Sequence, residues 1–389
     1  MSTVAATAEG IDVRRRAALD GPMVLLTALI VLLGLIMVTS ASMGTAAEGG
    51  DPFGYLERQL LLVLIGGGCA VITFCIPTAA LDKLSFPLLL LAATLLLLVL
   101  IPGLGHVANG SRRWLHLAGV SFQVSEAARV LTLIYIASYA VRREEAIRSS
   151  LGGVFRPIAL LSLMGLLLLG EPDFGAASVL MLTGFGVLFL AGARLRYVVL
   201  MLLLAAGAMT LLVLFSSYRM RRMLAFLDPW SDPFNRGFQL TQSLIAIGRG
   251  EWFGVGLGAS VQKLFYLPEA HTDFLFAVLA EELGLLGVAV TLALFLALAW
   301  RAFVIARAAY EAGQKFGAHL AGGFALWLGV QAFINIGVNM GVLPTKGLTL
   351  PLMSYGRSSL IVTLAWIGVV LRVNYETEHA GRARRGVRA

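Results

Sequence analysis

The chain has 389 residues, of which 58% are hydrophobic and 13% are charged. A soluble protein of this size needs a polar surface that this composition does not supply, so the sequence predicts an integral membrane protein. The formal net charge of +8 does not indicate a nucleic-acid partner, because the basic residues cluster at the ends of apolar runs, as membrane topology requires.

Apolar segments that approach or exceed the roughly 17 to 25 residues needed to cross hydrocarbon recur along the chain. They lie at about 21–42, 57–77, 84–102, 123–141, 155–170, 174–192, 196–216, 274–300, 318–342 and 354–373. The sequence therefore predicts an all-α bundle of ten transmembrane helices. The fifth and sixth segments are separated by the short turn 171–175, so one interrupted helix is the alternative interpretation of that pair.

The distribution of positive charge predicts the orientation. With the N-terminus inside the cell, most Lys and Arg residues fall at cytoplasmic positions, which favours ten spans over nine. The predicted parts are an N-terminal cytoplasmic segment 1–20, a membrane domain 21–373 that contains a large outward loop 217–272, and a basic cytoplasmic tail 374–389. The predicted location is the cytoplasmic (inner) membrane.

The outward loop 103–122 carries Arg112, Arg113 and Trp114 in succession. Two arginines at a membrane surface are suited to hold a diphosphate, while the indole packs on a sugar face or an isoprenoid chain. The alternative is an interfacial anchor, because Trp and Arg occupy the headgroup level in many membrane proteins. Composition alone leaves both interpretations open.

Two further positions each have a structural and a functional interpretation. Glu126 and Arg129 share a helix face, so they can neutralise each other, or Arg129 can point into a water-filled cavity towards phosphate. Asp173 follows Pro172 in the turn 171–175 and is either a helix cap or a supporting site, with a cation as one candidate ligand.

The large loop closes at Asp273, where the eighth apolar segment begins. A carboxylate there is expected at a membrane surface, beside the positive end of a helix dipole and within reach of a lipid-linked headgroup. Helical geometry places Glu281 about 80° round from Asp273 and roughly 12 Å deeper, facing the same cavity, with Glu282 on the opposite side. Because adjacent buried carboxylates are costly, at least one is expected to be protonated or paired.

Several ordered motifs resemble one family. They are the run Val261–Asp273, the group Glu281–Gly284, Arg113-Trp114 followed by Gln123–Glu126, the turn Glu171–Gly175, and the broken, glycine-rich and proline-rich stretch Asn335–Ser359. Together they resemble the SEDS family of peptidoglycan polymerases, and within it the cell-division branch. Val124 stands where the family has proline, Arg129 where it has lysine, and Arg357 where it has a second glycine.

This resemblance implies a peptidoglycan glycosyltransferase that polymerises lipid II by an inverting mechanism during septal wall synthesis, with its active site facing the periplasm. Asp273 is the implied general base, and Asp173 has an implied supporting role. The implied substrate-binding residues are Arg112, Arg113, Trp114, Arg129, Glu269, His271, Glu281, Lys346 and Ser354. No cofactor is firmly implied; a divalent cation, Mg or Mn, suits the diphosphate chemistry, although no ligand cluster is visible in the sequence.

The implied partners are lipid II, undecaprenyl diphosphate, membrane lipid, other division proteins and the class B penicillin-binding protein FtsI. We expect FtsI to dock on the outer surfaces of the eighth and ninth helices, where Gly284 and Gly287 permit close approach. Two other functions remain open at this point. A lipid II flippase suits ten spans and buried charges equally well, and a non-catalytic division scaffold would tolerate changes at Asp273.

Overall fold

The structure is a computed structural model that describes most of the chain. The described residues are 19–49, 53–108, 111–117, 120–216, 220, 223–224, 226–235, 237–264, 266–344 and 347–386.

The described part of the chain is mainly helical. Its helices are α1 (Gly21–Gly49), α2 (Gly54–Cys75), α3 (Thr78–Lys83), α4 (Ser85–Leu100), α5 (Val124–Arg142), α6 (Glu144–Ser149), α7 (Leu151–Gly170), α8 (Phe174–Leu190), α9 (Leu195–Leu214), α10 (Phe238–Gly250), α11 (Leu275–Glu311), α12 (Lys315–Asn339) and α13 (Arg357–Gly386). A short 3-10 helix covers Pro229–Ser231.

Each of the ten predicted apolar segments coincides with one of these helices. Within the described residues, seven helices are long and apolar enough to cross a membrane, and Ser85–Leu100, Phe174–Leu190 and Leu195–Gly207 are shorter apolar helices. The prediction of a polytopic helical membrane protein is confirmed, while the count of ten crossings stays a prediction. Helices α7 and α8 are separate, since the chain leaves the helix between Gly170 and Phe174.

Helix α12 forms the centre of the bundle, where it packs against α5, α8, α11 and α13. Small residues allow this packing: a side chain on Gly322 would meet Leu190 at 2.9 Å, and one on Gly323 would meet Val187 at 3.2 Å. Of the apolar window of α12, 78% of the residues are buried, against 17% for α2 and 28% for α11. The ninth predicted helix is therefore mainly internal and, with Phe333 65% exposed, keeps only a small outer surface, so the docking site predicted on it stays a prediction.

A small antiparallel sheet lies between α4 and α5. Its strands are β1 (Gly105–Ala108), β2 (Ser111–Leu117) and β3 (Val120–Gln123), with β2 in the middle. Trp114 pairs with His106 on one side and with Gln123 on the other. The sheet was not predicted, and it leads directly into α5 at Val124. Gln123 is extended (φ −85°, ψ 110°), so the chain bends here although valine replaces the family's proline.

The final part of the large loop is hydrogen-bonded to α11 around a break in that helix. Gly284 has φ 62° and interrupts the helix, and the backbone N–H groups of Leu285 and Val255 donate to the carbonyls of Glu251 and Glu281 at 2.9 Å each. A Cβ atom on Gly254 would lie 2.1 Å from the Glu282 carbonyl oxygen, so only glycine fits there. Gly284 thus packs against this loop, which corrects its predicted role as a docking position for a partner helix.

The predicted division of the chain at residue 374 falls inside a helix. Helix α13 continues without interruption from Arg357 to Gly386. The N-terminal residues 1–18 lie outside the described residues.

Candidate active site

The backbone around Asp273 forms a compact turn before α11 begins. The carbonyl of Glu269 accepts hydrogen bonds from the N–H groups of Thr272 at 3.1 Å and Phe274 at 3.2 Å. Glu269 itself has φ 57°, a left-handed conformation that is uncommon for a residue with a side chain. Helix α11 begins at Leu275, so Asp273, where this helix was predicted to start, lies in the turn two residues before it.

Two amide side chains on α12 fix the position of this turn. Asn335 Nδ2 and Asn339 Nδ2 donate to the Asp273 carbonyl at 2.9 and 3.0 Å. Asn339 Oδ1 also accepts from the N–H of Ala277 at 3.2 Å, an N–H in the first turn of α11 that donates to the Phe274 carbonyl at 3.0 Å as well. Because two side chains of α12 bind the carbonyl of Asp273, the position of its backbone on the wall of the site is fixed.

A cavity of about 470 Å³ opens in front of Asp273. It lies at one end of the bundle, where loops and helix ends meet. Its lining residues are Tyr55, Arg58, His106, Arg113, Trp114, His116, Ser121, Gln123, Glu269, His271, Thr272, Asp273, Gly347, Thr349, Tyr355, Gly356, Arg357, Ser358 and Ser359. The cavity is thus walled by the sheet, the start of α2, the turn before α11 and the segment before α13.

Burial raises the pKa of the Asp273 carboxyl to about 7, and the negative charge of Glu269 adds to this effect. The positive charge of Arg113 acts in the opposite direction. A carboxyl group with this pKa exchanges its proton near neutral pH, which is the property that a general base requires. Burial also lowers the pKa of His271, so this imidazole is biased towards its neutral form.

Five of the predicted site residues line this cavity together: Arg113, Trp114, Glu269, His271 and Asp273. The backbone N–H of Tyr355 donates to the His271 carbonyl at 2.9 Å, which joins the turn to the segment before α13. Tyr55 stacks edge-on against His271 at 4.8 Å between ring centroids. Aromatic walls beside a carboxylate and arginines are the surface expected for sugar and diphosphate recognition.

Arg112 and Ser354 support the cavity without lining it. Arg112 Nη1 donates to the Leu100 carbonyl at 3.1 Å, which ties the sheet to the end of α4. Ser354 Oγ accepts from the N–H of Leu350 at 3.0 Å and so closes the turn that precedes Tyr355. Lys346 lies outside the described residues, so its predicted contact with phosphate stays a prediction.

Arg129 is buried inside the bundle. Its guanidinium pairs with Glu126, and Nη1 donates to Gln331 Oε1 at 2.9 Å. Gln331 Nε2 in turn donates to the carbonyl of Thr349 at 3.2 Å, and Thr349 lines the cavity. The mutual pair is therefore the correct interpretation of Glu126 and Arg129, and Arg129 reaches the cavity wall only through Gln331.

Glu281 does not face the Asp273 cavity, which corrects the prediction from helical geometry. Its carboxylate pairs with Arg249 at 3.0 Å and accepts from Ser260 Oγ at 2.5 Å and from the N–H of Val261 at 3.2 Å. Glu282 pairs with Lys263 at 2.8 Å. Both carboxylates are paired, as expected for buried acids, and both hold the end of the large loop.

Asp173 is the N-cap of α8, where Oδ1 accepts from the N–H of Ala176 at 3.0 Å. Its other oxygen accepts from Ser125 Oγ at 3.0 Å and lies 3.7 Å from Arg113 Nη1. The cap interpretation is confirmed, and the contact with Arg113 connects Asp173 to the cavity. Its neighbour Glu171 is buried with no hydrogen bond to its carboxyl oxygens from the described residues, and burial raises its pKa to about 9, so it is protonated at neutral pH.

Arg58 and Arg357 are cavity residues that were not among the predicted site residues. Arg58 lies in the first turn of α2, and a basic residue at the start of an apolar segment gives only a topology signal. Arg357 was identified as a departure from the family's glycine; it begins α13 with an ordinary backbone and adds a positive charge to the cavity. With Arg113, three guanidinium groups therefore face the space beside Asp273.

Comparison with known proteins matches residues 22–379 to the FtsW/RodA/SpoVE family, described as cell cycle proteins. A probable peptidoglycan glycosyltransferase FtsW from Thioalkalivibrio sulfidiphilus is 54% identical over 97% of this chain and 94% of its own length. The relative of the same name from Coxiella burnetii is 50% identical over 92% of this chain and 97% of its own length.

Two solved structures share the fold. One, described as a peptidoglycan synthase complex that coordinates polymerization and crosslinking, has a TM-score of 0.74 and 33% identity over 92% of this chain and 98% of its own. The other, the rod shape determining protein RodA of Thermus thermophilus, has a TM-score of 0.69 and 31% identity over 92% of this chain and 97% of its own. This chain belongs to the FtsW/RodA/SpoVE family, the SEDS family of multi-pass membrane proteins.

Proposed function

We propose that this protein is a peptidoglycan glycosyltransferase that polymerises lipid II at the outer face of the cytoplasmic membrane during septal wall synthesis. The observation that carries the proposal is the position of Asp273, a carboxyl group with a pKa of about 7 on the wall of a cavity that three arginines share. Relatives about half identical to this chain are named for that activity.

In this reaction the 4-hydroxyl of the acceptor N-acetylglucosamine attacks the anomeric carbon of the donor N-acetylmuramic acid. Asp273 accepts the hydroxyl proton, the new glycosidic bond forms with inversion, and the bond to the diphosphate breaks. Undecaprenyl diphosphate leaves with the bonding electrons and with negative charge on its oxygens. Since the base must be deprotonated, a pKa near 7 gives Asp273 both a useful carboxylate fraction and adequate basicity.

The arginines of the cavity supply the counter-charge for that leaving group. Arg58, Arg113 and Arg357 line the same space as Asp273, and guanidinium groups bind diphosphate oxygens in a bidentate manner. Groups that are already oriented before the reaction stabilise developing charge most effectively. Arg113 is oriented in this way, because Nε donates to Ser111 Oγ at 2.6 Å while Nη1 lies near Asp173.

A divalent cation is compatible with this chemistry, since Mg²⁺ is commonly bound by one or two carboxylates together with substrate phosphates. Among the described residues, no group of three or more His, Cys, Asp or Glu is arranged to hold a metal ion by itself. Within the cavity, Asp273 and Glu269 are the carboxylates that a substrate-borne cation would meet.

The position of the cavity favours polymerisation over lipid transport. A flippase binds its headgroup near the membrane midplane in two alternating states. Here the carboxylate, the arginines and the aromatic residues lie at one end of the bundle, among helix ends and loops. Within the bundle, the Arg129 guanidinium is paired with Glu126, donates to Gln331 and has no exposed surface.

The decisive experiment is polymerisation of purified lipid II by the purified protein, alone and together with FtsI. We expect glycan strands from the parental protein with its partner and, from the Asp273→Asn variant, polymerisation that is slower by roughly 100-fold or more. Lipid II binding, measured on the same samples, separates chemistry from recognition. Binding without polymerisation by the parental complex, combined with lipid II transfer between leaflets of reconstituted vesicles, would replace this proposal with the transport function.

A partner that crosslinks the new strands follows from the same proposal. The solved structure with the higher TM-score comes from a complex that coordinates polymerization and crosslinking. We infer that this protein works with a class B penicillin-binding protein, FtsI, at the division septum. The exposed surface of α11 is the larger part of the predicted docking site that the fold leaves available.

A further inference from the structure

A groove between α5 and α7 lies at the end of the bundle opposite to Asp273. Helix α5 begins at Val124 beside the active-site cavity and ends at Arg142, roughly 28 Å away at a rise of about 1.5 Å per residue. At that far end, the groove of about 710 Å³ separates α5 from the start of α7. Its lining residues are Tyr135, Tyr139, Arg142, Arg143, Arg156, Pro157 and Leu160.

The charge of this groove is positive. Arg142, Arg143 and Arg156 line it, and no carboxylate is among its lining residues. Arg142 is held in place, because Nη1 donates to Ser138 Oγ at 2.7 Å and the guanidinium lies 5.6 Å from the centre of the Tyr135 ring. The Ser138 hydroxyl donates in turn to Asp82, and Arg142 also lines a neighbouring cavity in which Glu144 pairs with Arg148 and Lys315. Neither Arg143 nor Arg156 has an ion pair with any described residue.

The walls of the groove are aromatic and apolar. The ring of Tyr135 lies 6.3 Å from that of Phe86 and 6.5 Å from that of Tyr139. Pro157 has no N–H to donate to the Gly153 carbonyl four residues earlier, and Tyr139 Oη donates to that carbonyl instead at 3.1 Å. This hydrogen bond joins α5 to α7 at the groove, so the two walls of the opening are held to each other.

An aromatic belt with flanking arginines anchors many membrane helices, and that is the simplest interpretation of these residues. An anchor does not require a cavity, however, and it does not require three guanidinium groups from two helices around one space. Basic pockets between membrane helices near the headgroup level recognise anionic lipids, because guanidinium groups bind phosphate oxygens while the acyl chains follow the helix surface.

We propose that this groove binds the phosphate headgroup of an anionic glycerophospholipid in the leaflet opposite to the Asp273 cavity. Arg142 is the fixed contact, and Arg143 and Arg156 close on the phosphate from the two sides of the groove. The tyrosine rings and Leu160 take the upper part of the acyl chains.

The test uses native mass spectrometry to measure which lipid the purified full-length protein retains from a mixture of phosphatidylglycerol and phosphatidylcholine. The parental protein is compared with two double variants. The parental protein is expected to retain phosphatidylglycerol selectively. The double variant Arg143→Gln/Arg156→Gln is expected to bind it roughly 30-fold more weakly, since each basic residue near an anionic surface contributes about fivefold. Thermal unfolding checks that the variant is folded. We expect it to be, because Arg143 and Arg156 are exposed and have no ion pair with a described residue.

The matched control is Arg196→Gln/Arg307→Gln, which removes two exposed arginines from the same end of the bundle outside the groove. An equal loss in this control would overturn the proposal, because attraction to general surface charge would then explain the binding. Competition on the parental protein gives two further outcomes that would overturn it. They are displacement of phosphatidylglycerol by inorganic phosphate at equal concentration, and preferential retention of an isoprenyl diphosphate lipid.

Discussion

A carboxyl group with a pKa near 7 exists in two protonation states at physiological pH, and a general base can use only one of them. Asp273 owes this pKa first to burial and then to the nearby charge of Glu269. The same side chain lies on a turn that two asparagines of α12 fix in place. Position and proton affinity at this residue therefore come from different parts of the chain.

Replacing Asp273 with asparagine keeps the size of the side chain and removes its capacity to accept a proton. We expect Asp273→Asn to lower the turnover of lipid II polymerisation by roughly 100-fold to 10,000-fold, the usual contribution of a general base. Lipid II binding and thermal unfolding should stay near their parental values. Asp173→Asn is the comparison, and it should cost less, because Asp173 caps α8 and contacts Arg113 from outside the cavity.

Turnover of lipid II should depend on pH through the same group. Below a pKa of about 7 the Asp273 carboxyl is protonated and inactive, so kcat/KM should rise about tenfold per pH unit up to that pH and then level off. Glu269→Gln removes a charge that raises this pKa, so the midpoint of the profile should move to lower pH. A profile that keeps its midpoint in Glu269→Gln would show that another group controls the reaction.

At the scale of single elements, the end of the large loop is held to α11 by two adjacent carboxylates. Glu281 pairs with Arg249 and accepts a hydrogen bond from Ser260. Glu282 pairs with Lys263 and accepts a hydrogen bond from Ser40. Lys263 Nζ also donates to the Gly258 carbonyl at 2.8 Å. This loop leads into the turn that carries Asp273, so the two carboxylates position the active site from outside the cavity.

Removing one partner of the Lys263–Glu282 pair should destabilise the protein strongly. The two side chains are 3% and 0% exposed, and a buried charge left without its partner costs about 3 to 5 kcal/mol. We expect Lys263→Met to lower the midpoint of thermal unfolding clearly and Lys263→Met/Glu282→Gln to recover most of the loss. The exposed pair Arg307–Glu311 provides the control, and Arg307→Met should leave the midpoint unchanged. An unchanged midpoint in Lys263→Met would mean that the pair does not hold the loop.

The position of Glu281 shows where inference from the sequence stops. The predicted angle between Asp273 and Glu281 assumed one continuous helix, but α11 begins at Leu275 and Asp273 lies in the turn before it. The helix period predicts the relation of two side chains only when both lie on the same regular helix. The partners of Glu281 come from residues 249–262, and such long-range pairing has no signal in the local sequence.

At the scale of the whole molecule, the apolar runs were sufficient to locate every one of the ten predicted helices. Their hydrophobicity has a direct physical cause, because each span must satisfy its backbone hydrogen bonds internally and present apolar side chains to lipid. The small sheet at 105–123 had no comparable signal, since its strands are four to seven residues long. It nonetheless brings Arg113 and Trp114 to the cavity. Arg58 reaches the same place only through the packing of α2.

The outer surface of α11 is one of the large apolar surfaces that packing within the described residues leaves exposed. Beyond the break at Gly284, Leu296 and Trp300 are each 70% exposed and lie one helical turn apart. Apolar residues on a membrane helix contact lipid equally well, so exposure alone does not identify a protein partner. We propose this face as the docking surface for FtsI, the partner inferred from the likeness to a peptidoglycan synthase complex.

Truncating this surface should therefore weaken the complex without affecting the isolated protein. We expect Leu296→Ala/Trp300→Ala to weaken binding of FtsI roughly 30-fold in co-purification, because a truncated tryptophan commonly costs about 2 kcal/mol at an interface. The matched control is Leu64→Ala/Ile72→Ala on α2, whose side chains are similarly exposed on another face of the bundle. Loss of FtsI from the α2 variant and not from the α11 variant would move the interface to α2. Equal retention by both would place it on neither helix, since a packed membrane interface depends on the shape that these side chains provide.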